Sequence, residues 1–214
     1  MVGANDSGLT PSFRMERAMV GRHGGGIAGI DEAGRGPWAG PVVAAAVILD
    51  SDRIPAGLND SKQLSEPVRE GLFAEIVNTA QMAVGIAEVG RIDRDNILQA
   101  TLWAMAAALH ALPTRPAAAL IDGNRLPPLP CPAEAVIKGD ALSLSIAAAS
   151  IVAKVTRDRM MRQLARDYPG YGWERNKGYG TQEHRSAIAE LGVTPHHRRS
   201  FAPVRDALQM AAAG

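Results

Sequence analysis

Cysteine is nearly missing from this chain of 214 residues. Cys131 is the only one, which excludes an internal disulfide and fits a reducing compartment. Pro130 and Pro132 flank that thiol and no histidine motif points to it, so it is a poor candidate for a nucleophile. Long apolar runs are missing as well. No stretch approaches the ~20 residues that a membrane helix needs, and Met1 to His23 carries charges without a continuous apolar segment, unlike a secretory signal. A cytoplasmic protein with no membrane contact is expected. Excess charge of either sign is absent too, the formal net charge being +1. No internal repeat is visible.

What is present is enough for one domain of ordinary size with a substantial core, since 46% of the residues are hydrophobic. Charge is balanced in sum but not along the chain. Residues 1–150 hold 12 Lys/Arg against 16 Asp/Glu, and residues 151–214 hold 11 against 6. An acidic part and a basic part suit a polyanionic substrate, although ordinary scatter of surface charge gives the same totals.

The chain turns on one stretch, from Gly29 to Pro41. A short apolar run, Gly26 to Ile30, leads to the adjacent carboxylates Asp31 and Glu32; Gly34-Arg35-Gly36 follows, and a second apolar run spans Val42 to Leu49. Apolar runs bounded by Gly and Pro read as buried strands, so the two carboxylates stand where a core strand ends. There they must be solvated, paired or metal-bound, because burying a lone charge is too costly. The glycines let something approach the backbone closely. Gly34, Gly36 and Gly40 do not form a dinucleotide loop: the spacing is one residue too long, and a strand follows where that fingerprint opens a helix.

Taken in order, residues 1–25 are polar and glycine-rich and are expected to form a disordered tail. Ser65 should cap a helix running to about Thr79, with Leu72, Ile76 and Val77 on one face. Met82 to Val89 reads as a strand, Ile92 to Leu112 as a helix, and Ala117 to Ile121 as a core strand ending in Asp122-Gly123. Ala133 to Lys138 is a shorter strand leading to Gly139-Asp140, and the uninterrupted span from Ala141 to about Asp167 is the longest helix. Tyr168 to Gly180 is a loop, Thr181 caps a short helix ending before Gly192, and Val204 to Met210 forms a last turn or two. Strands alternating with helices in this way give an α/β mixed sheet flanked by helices.

Asp31, Glu32, Asp122 and Asp140 each follow an apolar strand. Gathered at one end of a sheet they would repel one another unless divalent cations neutralised them. An all-oxygen donor set selects Mg²⁺ or Mn²⁺ over Zn²⁺. Other readings exist for each: Asp140 as the cap of the helix after it, Asp122 as a strand-to-turn aspartate. Neighbours on a strand point to opposite faces, so Asp31 and Glu32 share a site only if the chain bends near Gly34 and Gly36, or if Glu32 offers its backbone carbonyl. Asp158, four residues from both Lys154 and Arg162, reads as a helix-surface ion pair or as support for the site. His184, His196 and His197 lack metal spacing, and His197-Arg198-Arg199 reads as charge that binds a nucleic-acid backbone or as a structural contact.

The stretch Asp31-Glu-Ala-Gly-Arg-Gly-Pro37 followed by Ala39-Gly-Pro41 resembles the signature of the ribonuclease HII family. Four later stretches resemble that family in order: Asn59-Asp-Ser-Lys-Gln-Leu64; Ile121-Asp-Gly123; Lys138-Gly-Asp140 with Ala147 to Asp158; and Lys177-Gly-Tyr179 running on to His197-Arg-Arg-Ser-Phe201. The resemblance implies a ribonuclease H-like five-stranded sheet over residues 26–167, and a small helical C-terminal subdomain that binds substrate over residues 168–214. It implies an endoribonuclease acting on RNA–DNA hybrids and on ribonucleotides embedded in duplex DNA, with Asp31, Glu32, Asp122 and Asp140 as catalytic carboxylates holding two Mn²⁺ or Mg²⁺ ions. Gly34-Arg35-Gly36 would present bare backbone to a ribose 2′-OH, Arg35 and Lys62 would bind phosphates, and Tyr179 would stack on a sugar or base. A monomer is expected. The alternatives are a ribonuclease HIII-type enzyme, a non-catalytic nucleic-acid-binding module, and a metal-dependent phosphatase of small substrates.

Overall fold

The computed structural model describes residues 10–213. Its frame is a five-stranded sheet in the order β3-β2-β1-β4-β5. The strands are β1 (Ile27–Ala33), β2 (Val42–Leu49), β3 (Ala80–Ala87), β4 (Ala118–Asp122) and β5 (Ala133–Val136). β1 and β2 pair antiparallel, as do β2 and β3, while β1–β4 and β4–β5 pair parallel. The mixed sheet flanked by helices is as expected. Every residue of β2 is buried, because a strand apolar at every position is stable only where both faces are covered.

Helices cover both faces. Helix α3 (Val89–His110) packs on the side of Ala28, Ile30, Ala44 and Ala46. Helices α2 (Glu66–Thr79) and α4 (Leu144–Asp167) pack on the side of Ala45, Val47 and Leu49. The layers are close because the contacts are small. A Cβ on Gly29 would lie 2.1 Å from the Ser145 carbonyl carbon, and one on Gly85 would lie 2.1 Å from the Ala104 oxygen. Ala147, Ala148 and Ala149 of α4 are fully buried, as their small side chains suggested. Beyond α4, a separate apolar cluster built on Met161, Tyr171, Trp173 and Ile188 joins α5 (Trp173–Asn176) and α6 (Gln182–Leu191) to it. Helix α7 (Ala202–Ala213) completes this helical C-terminal part.

Several expectations need correction. Residues 10–25 are not a disordered tail: Arg14–His23 is a helix, α1, that buries Glu16 and Met19. Residues 1–9 of that expected tail lie outside the described residues. Glu16 Oε1 accepts from Ser145 N–H at 2.9 Å, Ser145 Oγ at 2.7 Å and Ser143 Oγ at 2.5 Å, so α1 is held by a carboxylate on the N-terminus of α4. Val77 is exposed while Leu72 and Ile76 are buried. β3 begins two residues earlier than expected. α3 starts at Val89 and breaks at Asn96 (φ 68°), whose Oδ1 accepts from Leu98 and Gln99 N–H and caps a new helical run. α4 is capped by Ser143, which accepts from Ile146 N–H, so Asp140 is not its cap; Asp140 sits in a 3₁₀ turn, Gly139–Ala141. The loop before Gly180 contains α5. Thr181 does cap α6, accepting from His184 N–H.

Candidate active site

The site is built where the sheet's partners end unevenly. The parallel pairing of β1 with β4 stops at Ile30↔Ile121, whereas β1 continues along β2 through Asp31↔Ala45, Glu32↔Ala44 and Ala33↔Val43. Asp31 and Glu32 therefore lie within β1 and not after it, on a strand with one open edge. Next to them β4 ends on Asp122, paired to Val136, and the chain leaving β5 turns through Lys138 (φ 56°) to bring up Asp140. Gly139 N–H donates to Asp122 Oδ1 at 2.7 Å, which ties the Asp122 side chain to the turn that carries Asp140.

Asp31, Glu32 and Asp122 line one cleft of about 310 Å³. Strand alternation would send Asp31 and Glu32 to opposite faces. Both reach the cleft because β1 has lost β4 on one side and turns at Gly34, whose φ of 97° suits glycine. Asp31 is 4% exposed and accepts the Glu32 N–H at 2.7 Å. Burial, then Glu32, Asp122 and Asp140, hold its carboxyl well above the usual range. Burial also raises Glu32, against the pull of Arg35 at 3.3 Å. Asp140 is raised by burial, then by Asp60 and Asp122. Asp60 is a further carboxylate of the site that the sequence reading did not single out.

Cations and hydroxyls border these acids. Lys62 Nζ lies 3.7 Å from both Asp60 and Asp140. Burial would lower it, but Asp60, Asp140, Asp31 and Asp122 together outweigh burial and raise it. The turn carrying it is pinned to α4, where Ser150 Oγ bonds Ser61 Oγ at 2.7 Å. Ser150, Lys154 and Arg157 recur at helical spacing along α4 and all line the cleft. Lys154 pairs with Asp158 at 2.7 Å, but Asp158 is buried, so the pair is not the helix-surface one expected, and Arg162 turns instead to Glu66 and Glu70. Tyr179, 48% exposed, closes the cleft's other wall; a Cβ on Gly36 would lie 3.4 Å from its Cε1.

The Gly34–Pro41 turn is held from behind by two buried arginines. Arg157 donates to the carbonyls of Pro41, Lys177 and Ala39 at 2.9–3.1 Å. Arg198 donates to Gly40 at 3.0 Å, Arg35 at 2.9 Å and Gly34 at 2.5 Å. Burial pulls Arg157 down to about 10 and Arg198 to about 9, so both stay charged at neutral pH. Arg198 is thus the structural contact of the two readings given to His197-Arg-Arg199. Arg199 is exposed, and its N–H donates to Asp93. Arg157 was missed because a charged residue in sequence reads as surface.

Among the described residues, no three His, Cys, Asp or Glu side chains already close around one point as a metal cage. The donors suit a hard cation nonetheless. They are carboxylate oxygens, of which Asp31, Glu32 and Asp140 are raised by burial and by neighbouring acids, and Mg²⁺-type ions are held by one or two carboxylates together with waters and substrate phosphate. A larger cavity of about 540 Å³ lies between α6 and α7, but no carboxylate cluster faces it. Cys131 lies away from the cleft and its thiol is raised by burial, unlike an activated nucleophile. No helix among the described residues is long and apolar enough to cross a membrane.

A family model described as Ribonuclease HII matches residues 28–204. The Ribonuclease HII of Azorhizobium caulinodans is 61% identical over 194 residues, covering 91% of this chain and 75% of the relative. That of Rhodopseudomonas palustris strain BisB18 is 59% identical over 199 residues, covering 93% and 75%. Among solved structures, ribonuclease H2 from Pyrococcus horikoshii superposes with a TM-score of 0.74 at 28% identity, over 88% of this chain and 100% of that one. RNase HIII from Bst, solved in complex with Mn²⁺, has a TM-score of 0.71 at 22% identity over 88% and 71%, and shares the fold.

Proposed function

The chain belongs to the ribonuclease HII family and is a ribonuclease H; we propose that its carboxylate cleft hydrolyses the RNA strand of RNA–DNA hybrids and nicks 5′ of ribonucleotides embedded in duplex DNA. The products would be a 3′-hydroxyl and a 5′-phosphate. One observation carries this reading: Asp31, Glu32 and Asp122 line one cleft whose other walls are Gly34–Gly36 and Tyr179, with Asp140 close enough to raise Asp31. Asp31, Glu32, Asp122 and Asp140 would hold two Mn²⁺ or Mg²⁺ ions. Such ions supply a nucleophilic water at neutral pH and stabilise the leaving oxygen.

The chain's own groups would align the substrate. Lys62 and Arg35 take phosphates, and the backbone of Gly34 and Gly36, free of side chains, meets the ribose 2′-OH. Tyr179 lies over Gly36 and would pack against the neighbouring sugar, where a deoxyribose fits and a ribose does not. Residues 168–214 would form the substrate-binding subdomain beside a catalytic domain at 26–167. We further read the protein as a cytoplasmic monomer.

The test is cleavage of a labelled duplex containing one ribonucleotide, with Mg²⁺, with Mn²⁺ and with chelator. Cutting 5′ of the ribonucleotide with either metal and none with chelator is expected. Asp31→Asn and Asp122→Asn should fold and lose several orders of magnitude in rate, with metal-free hybrid binding unchanged or tighter. Substantial activity in either variant removes that residue from the site.

A further inference from the structure

The C-terminal helices bury two histidines that the cleavage reading leaves without a task. His184 on α6 and His197 are both fully buried, with their Nε2 atoms 3.0 Å apart. His197 Nδ1 faces the Thr194 N–H at 3.0 Å and the Thr194 hydroxyl at 2.9 Å. A backbone N–H can only donate, so Nδ1 is unprotonated and the His197 proton sits on Nε2, aimed at His184. His184 Nε2 also faces the indole Nε1–H of Trp173 at 3.1 Å, again a group that only donates. The His184 proton is therefore on Nδ1, 2.9 Å from the Tyr179 carbonyl oxygen. Any other tautomer sets N–H against N–H, or a ring lone pair against a carbonyl. Burial keeps both rings neutral, pushing His184 down and His197 to about 3. The chain of bonds has one direction, from Thr194 to Tyr179.

Its end point matters because Tyr179 has little other freedom. Gly178 accepts the Trp38 N–H at 2.8 Å, and a Cβ on Gly180 would lie 2.1 Å from the Trp38 ring. The segment around Tyr179 is thus pressed onto the turn that follows Gly36 and cannot slide from it. What remains is rotation of the Tyr179 peptide, and the His184 Nδ1–H opposes that. The carbonyl also accepts the Thr181 N–H at 2.8 Å, so losing the imidazole bond leaves no orphaned oxygen.

We infer that His184 and His197 are positioning residues for junction selectivity, fixing the Tyr179 peptide so that the ring stays seated against Gly36. The inference rests on the reading of Tyr179 as the group that meets the deoxyribose side. The full chain and its variants are compared on two labelled duplexes, one with a single embedded ribonucleotide and one with a continuous RNA strand on DNA. The readout is the ratio of the two kcat/KM values. His184→Leu removes both ring nitrogens, whereas His184→Asn keeps an amide N–H near the position of Nδ1–H. His184→Leu should lower the ratio about ten-fold, given how steeply alignment errors cost rate, and His184→Asn should restore most of it. His197→Asn retains an acceptor for Thr194 but cannot reach His184; it should lower the ratio in the same direction, and it carries the test if His184→Leu does not fold. Equal losses on both substrates, or no rescue by asparagine, would overturn the inference. Tyr179→Ala is measured alongside. If it lowers both substrates equally, the reading of Tyr179 itself fails; if it is selective and the histidine variants are not, only the relay fails.

Discussion

Asp31 carries a cost that the fold cannot relieve alone. It is buried, and its carboxyl is raised by that burial and by three neighbouring acids. A carboxyl raised in the folded state keeps its proton to higher pH there than in the unfolded chain. Stability therefore falls as pH climbs from the ordinary carboxylate range through the raised value, and the full penalty applies above it. Asp31→Asn retains the oxygen that accepts the Glu32 N–H while removing the charge. Without metal at neutral pH, this variant is expected to melt higher than the parent, by about 2–4 °C for each kcal/mol of repulsion relieved. The difference should shrink as pH is lowered, and added Mn²⁺ should stabilise the parent more than the variant. Thermal melts across pH check this; an Asn variant that melts no higher at pH 7 would show that the buried charge costs nothing.

At the scale of elements, α4 is the part that most of the site leans on. Its first turn lies directly on Gly29 of β1, and its cleft-facing stripe carries Ser150, Lys154 and Arg157. Gly29→Ala would place a Cβ 2.1 Å from backbone, so α4 must move as a body. A loss of about 1–3 kcal/mol is expected from such overpacking, together with weaker cleavage, because Ser150 and Arg157 anchor the Lys62 turn and the Gly34–Pro41 turn. Urea unfolding gives the first and the duplex assay the second; unchanged stability would mean that the layers yield without strain. The sheet itself was legible in sequence, since β2 and β4 are wholly apolar runs closed by Gly, Pro or Asp. The four carboxylates were legible because each ends such a run or follows it closely. Helix α1 was not, because a buried Glu16 that bonds α4 looks like any polar surface residue. The break at Asn96 was hidden for the same reason, its capping bonds being invisible to periodicity. Arg157 escaped, and the two readings of Arg198 stayed open, because their partners are backbone carbonyls, which no side-chain pattern records.

For the whole molecule, the basic C-terminal part and the exposed Lys62 are expected to set how binding responds to salt. Lys62→Ala should weaken binding to hybrids of any sequence and lower the slope of log K against log salt by up to ~1, if Lys62 neutralises one phosphate. Titrations at several salt concentrations decide it, and an unchanged slope would make Lys62 a bystander. The molecule is assembled from distant parts of its chain, since Arg198 binds carbonyls 163 and 164 residues away at Arg35 and Gly34. Synthesis runs from the N-terminus, so Asp31, Glu32, Asp122 and Asp140 all leave the ribosome before Arg198 does. The sheet can gather those carboxylates while the Gly34–Pro41 turn still lacks one of the two guanidiniums that hold it. A nascent chain at that stage has the acids proposed to cut but not a fixed surface for reading ribose, and so is expected to tell a ribonucleotide junction from plain DNA only once its last residues have docked.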